Sequence, residues 1–227
     1  MKVGVLGTGM VGHALSTRLV ELGHQVMMGS RTAGNAKAVE WAAGAGPSAS
    51  EGSFADAAQF GDLVINATPG TVTLDALAMA GAAGLSGKVL IDVSNPLSSG
   101  PDNQPRLTVV NTDSVGEQIQ RAFPEARVVK ALNTMNAAVM VHPERVAGSP
   151  SVFLCGNDGS AKAQTIQLLE AFGWPPGDII DLGDIMGARA MEMFFPMWLR
   201  LAQATGNWTA TIRALSGAPP AGGDDAD

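Results

Sequence analysis

The chain has 227 residues, of which 46% are hydrophobic, and its formal net charge at pH 7 is −7. This composition allows a well-buried core, and the negative charge argues against a nucleic-acid binder that depends on attraction to phosphates. The single cysteine, Cys155, excludes an intramolecular disulfide and a multi-cysteine metal site, and its apolar neighbours predict a thiol in the core.

Short apolar runs alternate with helical patterns along the chain. Strands are predicted at residues 2–7, 25–29, 63–67, 88–93, 127–132, 151–155 and 178–182. Helices are predicted at 10–22, 34–43, 53–60, 72–83, 114–123, 158–172 and 185–204, the last with a bend at Pro196. Such alternation is typical of a parallel sheet with helices on both faces. We therefore predict an α/β fold, with a doubly wound Rossmann-type parallel sheet and a small C-terminal α/β extension.

The first predicted strand leads directly into a GxGxxG motif that opens a helix, Gly7-Thr8-Gly9-Met10-Val11-Gly12. In such a motif Gly7 allows the tight turn, Gly9 lets a pyrophosphate approach the backbone, and Gly12 lets the helix pack against the sheet. The helix N-terminus offers free N–H groups and a partial positive charge to the phosphates. The motif in this context predicts a dinucleotide site rather than a bare glycine turn.

The end of the second strand indicates which dinucleotide is bound. An NAD site usually places a carboxylate there, but the segment reads Gly29-Ser30-Arg31-Thr32, with no carboxylate before Glu40. Two hydroxyls and a guanidinium suit the extra 2′-phosphate, and Lys37 could add a second cation. The sequence therefore predicts NADP(H).

Two further loops follow predicted strands and should line the same crevice. They are Ala67-Thr68-Pro69-Gly70 and Ser94-Asn95-Pro96. We expect Thr68 and Asn95 near the nicotinamide ribose, although Thr-Pro and Asn-Pro pairs are also ordinary turn residues.

No acid–base pair or metal site stands out in the sequence. His13 and His24 are expected to be structural or solvated, whereas His142 lies near a candidate site loop and keeps a possible role. No His, Cys, Asp or Glu cluster has the spacing of metal ligands. Hydride transfer between two rings needs alignment more than proton transfer, so we predict no catalytic acid or base.

The chain resembles the coenzyme F420-dependent NADP oxidoreductase family from residue 1 to about 213. The resemblance is most specific at 7–12, at 30–32, at Val129-Lys130-Ala131-Leu132-Asn133-Thr134, and at Ala188-Arg189-Ala190-Met191-Glu192 with Pro196. It implies hydride transfer between C4 of NADP(H) and C5 of the deazaflavin F420, with both rings stacked in a cleft, in a protein that is usually dimeric.

The resemblance also implies roles for individual residues. Thr8, Met10 and Val11 would join the glycines at the pyrophosphate, and Ser30, Arg31 and Thr32 would hold the 2′-phosphate. The loop 133–138 would lie over both rings. In this loop, Asn133, Thr134 and Met135 would align the rings. Asn133 and Met135 would also contact the acceptor, and Ala137 and Ala138 would contact the cofactor.

The charged residues of the C-terminal part have two interpretations. Arg189 and Glu192 are three residues apart on a predicted helix and could pair with each other. Alternatively, Arg189 and Lys130 could meet the anionic tail of a deazaflavin or flavin. The apolar stripe on the same helix predicts core or dimer interface rather than a ring pocket; it comprises Met191, Phe194, Phe195, Met197, Trp198 and Leu201.

These observations predict an NADP-binding domain at 1–125, an acceptor-binding and dimerisation segment at 126–214, and a disordered tail at 215–227. The expected protein is cytoplasmic, because no membrane span is visible and the first strand leaves no room for a signal peptide. It should act as a homodimer on a small molecule, without membrane or nucleic-acid partners. Two alternatives remain: an NADPH-dependent reductase of flavin or another small acceptor, since metalloreductases share this scaffold, and a non-catalytic NADPH-binding redox sensor.

Overall fold

The computed structural model describes residues 1–102 and 104–215. The predicted tail, except for Leu215, lies outside the described residues. In the part of the chain that is described, no helix is long and apolar enough to cross a membrane.

Ten strands and ten helices alternate along the described chain. The strands are β1 (Lys2–Leu6), β2 (Gln25–Ser30), β3 (Ala49–Ser53), β4 (Leu63–Asn66), β5 (Val89–Asp92), β6 (Leu97–Ser99), β7 (Pro105–Leu107), β8 (Arg127–Ala131), β9 (Val152–Gly156) and β10 (Ile179–Asp181). The helices are α1 (Met10–Glu21), α2 (Ala36–Ala45), α3 (Phe54–Phe60), α4 (Thr73–Ala80), α5 (Ala82–Leu85), α6 (Val115–Ala122), α7 (Ala137–Val141), α8 (Gly159–Phe172), α9 (Ala188–Met193) and α10 (Phe195–Thr205).

Eight strands form one twisted sheet in the order β10-β9-β8-β5-β4-β1-β2-β3. The six strands from β3 to β8 in this order are all parallel, with the crossover between β1 and β4 that defines a doubly wound sheet. Apolar clusters cover both faces of the sheet. The predicted Rossmann-type α/β fold is confirmed.

The C-terminal strands correct one expectation. β9 pairs antiparallel with β8, and β10 is parallel to β9, so both run against the rest of the sheet. An apolar run has the same pattern in either direction, and the sequence could not reveal this reversal. The sheet also continues across residue 125 without a break, because β8 is hydrogen-bonded to β5 on one side and to β9 on the other. The division into 1–125 and 126–214 therefore describes proposed roles and does not divide the sheet.

Several short elements were not predicted. β3 has the sequence Ala-Ser-Glu-Gly-Ser and contains no apolar run, because it is an edge strand with one buried residue. The β6–β7 hairpin and α7 lie in segments that the sequence analysis left as loops. The predicted helix 185–204 is split at Phe194, with Pro196 in the first turn of α10, so the expected bend is a break between two helices.

Cys155 lies in β9 and is fully buried, as its apolar neighbours predicted. Burial raises the pKa of its thiol to about 12. The thiol therefore stays protonated at neutral pH and belongs to the core.

Candidate functional site

A cavity of about 1250 Å³ opens where the parallel strands end. The turn after β1, the end of β2, and the loops after β4, β5 and β8 all contribute to its lining. This is the edge at which doubly wound sheets bind nucleotides. Fifteen of the predicted site residues line it: Gly7, Thr8, Gly9, Met10, Val11, Ser30, Arg31, Thr32, Ala67, Thr68, Pro69, Asn95, Asn133, Met135 and Ala137.

The three glycines of the first turn have different surroundings. Gly7 has a φ of +124° and lies against the carbonyl of Ala67, so a side chain there would be both strained and obstructed. A Cβ on Gly12 would collide with the carbonyl oxygen of Gly7, because α1 packs closely under the turn. A Cβ on Gly9 would meet nothing within 4 Å, and Gly9 is exposed. The structure therefore leaves open backbone at Gly9, where a pyrophosphate needs to approach, and the turn fits a dinucleotide.

The segment after β2 presents a free cation. Ser30 Oγ donates to the carbonyl oxygen of Thr32 at 2.6 Å and shapes the turn. Arg31 is exposed, and its guanidinium forms no ion pair with any residue that the structure describes. Lys37 lies in the first turn of α2 but does not line the cavity. The structure also brings Glu51 of β3 to this turn, where its carboxylate accepts from the N–H of Gly34 at 2.9 Å.

Buried polar side chains connect the loops after β4 and β5. Asn66 Nδ2 donates to Asp92 Oδ1 at 2.7 Å, and Asn66 Oδ1 accepts from Thr68 Oγ1, also at 2.7 Å. Thr73 closes this group with a 3.0 Å contact to Thr68 Oγ1. Thr68 thus holds its loop and presents the loop backbone to the cavity, and Asp92 anchors the loop after β5 by accepting from the N–H of Ser94.

Lys130 is placed differently from its predicted role. Its side chain is fully buried, and Nζ lies 2.7 Å from Asp92 Oδ2 and 2.8 Å from Glu192 Oε1. Nζ also donates to the carbonyl oxygen of Ser94 at 2.5 Å. Burial alone would lower the pKa of Lys130, but the two carboxylates outweigh it and raise that pKa above its usual value. Lys130 is therefore a structural cation, and the prediction that it meets an acceptor tail is corrected.

Arg189 is also engaged by the protein. Its Nε and Nη2 donate to the two oxygens of Glu117 at 2.8 and 2.6 Å, a bidentate pair that lowers the pKa of Glu117. Glu192, its expected partner, instead pairs with Lys130 and accepts from the N–H groups of Val115 and Gly116. The predicted pair with Glu192 is therefore wrong, because α9 packs on α6 and the two side chains find different partners. The predicted contact of Arg189 with an acceptor tail stays a prediction.

The loop after β8 contains a strained residue. Leu132 is buried and has a φ of +63°, which a leucine rarely adopts. Asn133, the next residue, donates from Nδ2 to Asn95 Oδ1 at 2.9 Å and to the carbonyl of Met191 at 3.0 Å. In return, Asn95 Nδ2 donates to the carbonyl oxygen of Asn133 at 2.8 Å. These bonds join the loops after β5 and β8 to α9 at the cavity wall.

Six of the predicted site residues do not line the cavity: Gly12, Lys37, Lys130, Thr134, Ala138 and Arg189. Gly12 lies beneath the glycine turn, and Lys130 and Thr134 are buried. Ala138 lies on the other side of α7 and faces α1. The histidines lie outside the cavity as well, and no cluster of His, Cys, Asp or Glu in the described chain could hold a metal.

The sequence analysis missed much of the apolar lining. Phe195 and Trp198, assigned to core or dimer interface, line the cavity, with ring centroids 5.6 Å apart. Met191 does belong to the core, while Met197 is exposed, and the dimer stays a prediction. Other lining residues were not singled out: Asn35, Phe54, Val72, Asp75, Ala76, Met79, Val93, Ser94, Leu97, Asn136 and Met140. Most are apolar, and no motif marks them.

Comparison with known proteins adds to this geometry. The model of the family "NADP oxidoreductase coenzyme F420-dependent" matches residues 2–96. A crystal structure of a proposed F420-dependent NADP-reductase from Arthrobacter sp. FB24 is 46% identical, with a TM-score of 0.89, over 95% of this chain and 100% of that chain. A reductive aminase from Aspergillus terreus, at 19% identity and a TM-score of 0.64 over 90% of this chain and 62% of its own, shares the fold alone.

A metalloreductase is also similar to this chain. Metalloreductase STEAP3 of Rattus norvegicus is 33% identical over 202 residues, which are 87% of this chain and 38% of that protein. The chain thus spans less than two fifths of the length of the curated relatives it matches.

The second and third glycines of the motif allow a matched test. We expect Gly9→Ala to keep the melting temperature of the wild type and to weaken NADPH binding about tenfold or more, because the new methyl occupies the pyrophosphate approach. Gly12→Ala should instead cost about 1–3 kcal/mol of stability through overpacking. Calorimetric unfolding and NADPH titration measure both effects. Normal NADPH binding by Gly9→Ala would contradict the assigned pyrophosphate position.

The buried cation allows a second test. Lys130→Met should lower the free energy of unfolding by about 3–5 kcal/mol, because two carboxylates lose their counter-charge in the core. Lys162→Met is the control: its partner Asp181 is 42% exposed, and the loss should be about 1 kcal/mol or less. Urea unfolding of both variants measures the difference. Equal losses of unfolding free energy in the two variants would show that the Lys130 ion cluster stabilises the fold no more than a surface ion pair.

Proposed function

The chain belongs to the coenzyme F420-dependent NADP oxidoreductase family and is an NADP-dependent oxidoreductase, and from this premise we propose that its acceptor is the deazaflavin F420. The observation that carries the proposal is the shape and lining of the cavity. One end has the open glycine turn and a free arginine, and the other has an apolar, aromatic wall without ionisable side chains.

The nucleotide end fits NADP(H). Gly9 leaves backbone accessible for the pyrophosphate, and the N-terminus of α1 lies directly behind it. Arg31 has no ion pair with a described residue, so its guanidinium can donate to a 2′-phosphate. Ser30 and Thr32 shape the turn that carries Arg31. Glu51 is already bonded to the Gly34 N–H, and it lies outside the cavity lining.

The cavity has room for a second ligand. Its volume of about 1250 Å³ exceeds the range of roughly 300–1,000 Å³ that is typical of a small-molecule pocket. Past Asn95 and Asn133, the walls are formed by Met135, Phe195 and Trp198. Flat apolar and aromatic surfaces suit a planar ring system better than a small polar substrate.

The polarity of that end favours hydride transfer between rings. Among the lining residues, Arg31 and Asp75 are the ionisable ones; Arg31 follows β2, and Asp75 lies in the first turn of α4. Reduction of a carbonyl or imine generally needs a positioned proton donor. A deazaflavin takes a hydride at its ring carbon, and water can supply the proton. The residues at this end would therefore align two rings, with Asn95 and Asn133 holding the loops in register.

A flavin is the second candidate acceptor. It is favoured by the 33% identity to a metalloreductase, and a flavin ring would meet the same apolar walls. The structural requirements of the two ring systems are so similar that the acceptor has to be measured.

Arg31 provides the test of nucleotide specificity. Arg31→Ala should weaken NADPH binding by about 1.5–3 kcal/mol, the contribution of a charged hydrogen bond, and should leave NADH binding unchanged. Arg127→Ala is the control, because Arg127 is bonded to Gly87 and Ser160 at the opposite end of the sheet. Fluorescence titration with both nucleotides gives the dissociation constants. An equal loss for NADPH and NADH would place the 2′-phosphate elsewhere.

The acceptor is tested by direct turnover. We expect NADPH oxidation, followed by its absorbance, to be fast with F420 and slower with FMN or FAD at equal concentration. Clear flavin turnover without F420 reduction would overturn our first choice in favour of a flavin reductase. Tight NADPH binding without turnover of any acceptor would instead identify a redox sensor.

A further inference from the structure

A second cavity, of about 420 Å³, lies between α1 and α7. We call it the α1–α7 groove; one wall is the face of α1 from Met10 to Glu21, and the other runs from Asn136 along α7 to Arg145. Both helices begin at the large cavity, and the groove also includes Glu21, at the end of α1, and Arg145, in the turn that follows α7. The groove therefore extends from the large cavity along the length of α1.

The two cavities adjoin at one end. Met10, Asn136 and Ala137 line both of them. Met10 is exposed with 76% of its surface accessible, and its flexible side chain is free to move for a ligand that reaches from one cavity to the other. A ligand whose ring lies in the large cavity can therefore extend a substituent into the groove.

The groove is basic on an acidic protein. Arg18, Arg145, His13 and His142 line it, against one lining carboxylate, Glu21. Arg145 is exposed and forms no ion pair with any residue in the described part of the chain. Arg18 pairs through Nη1 with Glu21 at 3.3 Å, but its Nε is buried and has no hydrogen-bond partner there.

Two carboxylates, Glu21 and Glu144, lie close enough to Arg18 to offset its charge, whereas Arg145 pairs with no carboxylate of the described chain. Glu21 meets Arg18 at the far end of the groove, and Glu144 accepts from His142 Nδ1 at 2.9 Å without lining the groove. Arg145 and the Arg18 Nε thus keep unused donors. Buried polar groups without partners are rare in proteins, and an anion would satisfy both arginines.

The two cations that the sequence predicted for an acceptor tail are engaged by the protein itself. Lys130 is buried between two carboxylates. Arg189 donates from Nε and Nη2 to the two carboxylate oxygens of Glu117. Arg31 lies at the nucleotide end of the large cavity. We propose that the α1–α7 groove binds the anionic tail, phosphate or carboxylate, of the acceptor whose ring lies in the large cavity. This inference rests on the proposed function, since it requires a ring acceptor with such a tail.

The test compares acceptors with and without their tails. Binding to the NADP⁺-saturated protein is followed by ligand fluorescence for FMN against riboflavin, and for F420 against its deazaflavin core without the phosphate and carboxylates. We expect each tailed ligand to bind about tenfold or more tightly than its tail-less counterpart. The FMN arm isolates a phosphate, and the F420 arm adds the carboxylates.

The variants locate the effect. Arg145→Ala should weaken the tailed ligands about tenfold and leave the tail-less ligands unchanged. Arg18→Ala should act in the same direction, with its melting temperature as the check on folding, and Arg127→Ala should change nothing. Since Arg145 is exposed, its loss should not affect folding.

Equal affinity for tailed and tail-less ligands, or no effect of Arg145→Ala, would overturn the groove proposal. A change in molecular mass with Arg145→Ala, without a change in tail affinity, would also overturn it and identify the groove as a contact between copies of the chain. Turnover of F420 without tail dependence refutes the groove alone. Failure of every acceptor to bind refutes the groove together with the proposed function.

Discussion

One buried ammonium group holds together the part of the molecule that carries the cavity. Lys130 projects from β8 and pairs with Asp92 at the end of β5 and with Glu192 on α9. Through Glu192 the same cluster reaches the first N–H groups of α6, whose positive end offsets the second carboxylate. A buried ion cluster is tolerable only when every member is paired, so each of these elements depends on the others for its position.

The positions of the loops that line the cavity depend on this ion cluster. Asp92 is hydrogen-bonded to Asn66, which is bonded in turn to the threonines of the next loop. Lys130 lies near the end of β8, where Leu132 takes a left-handed conformation. Strained backbone persists only where its surroundings over-determine it. Here the bonds of Asn133 to Asn95 and to the Met191 carbonyl provide that constraint. The loops at the Asn95 and Asn133 end of the cavity are therefore held in place by bonds within the protein.

The nucleotide half was readable from the sequence, and the acceptor half was not. The glycine turn, Arg31 and the loops at Thr68 and Asn95 are local signals, since each follows its own apolar strand, and the structure brings them together. The partners of Lys130 lie 38 and 62 residues away, and those of Arg189 lie on another helix, so no spacing rule reaches them. A lysine inside the run Val128-Val129-Lys130-Ala131-Leu132 was nevertheless a signal of a buried ion pair. The aromatic wall gave no signal, because Phe195 and Trp198 follow the same helical pattern as core residues.

The aromatic wall of the cavity lies on a helix that is hardly buried. Helix α10 carries Phe195 and Trp198 into the cavity, yet of its eleven residues Ala202 alone is buried. Substitutions on a helix with so few core contacts cost little folding energy, whereas changes in the strands that hold the nucleotide turn are severely constrained. Natural selection can therefore remodel this helix for a new electron acceptor while the nucleotide site stays intact. The fold separates what must be conserved in such a reductase from what is free to diverge.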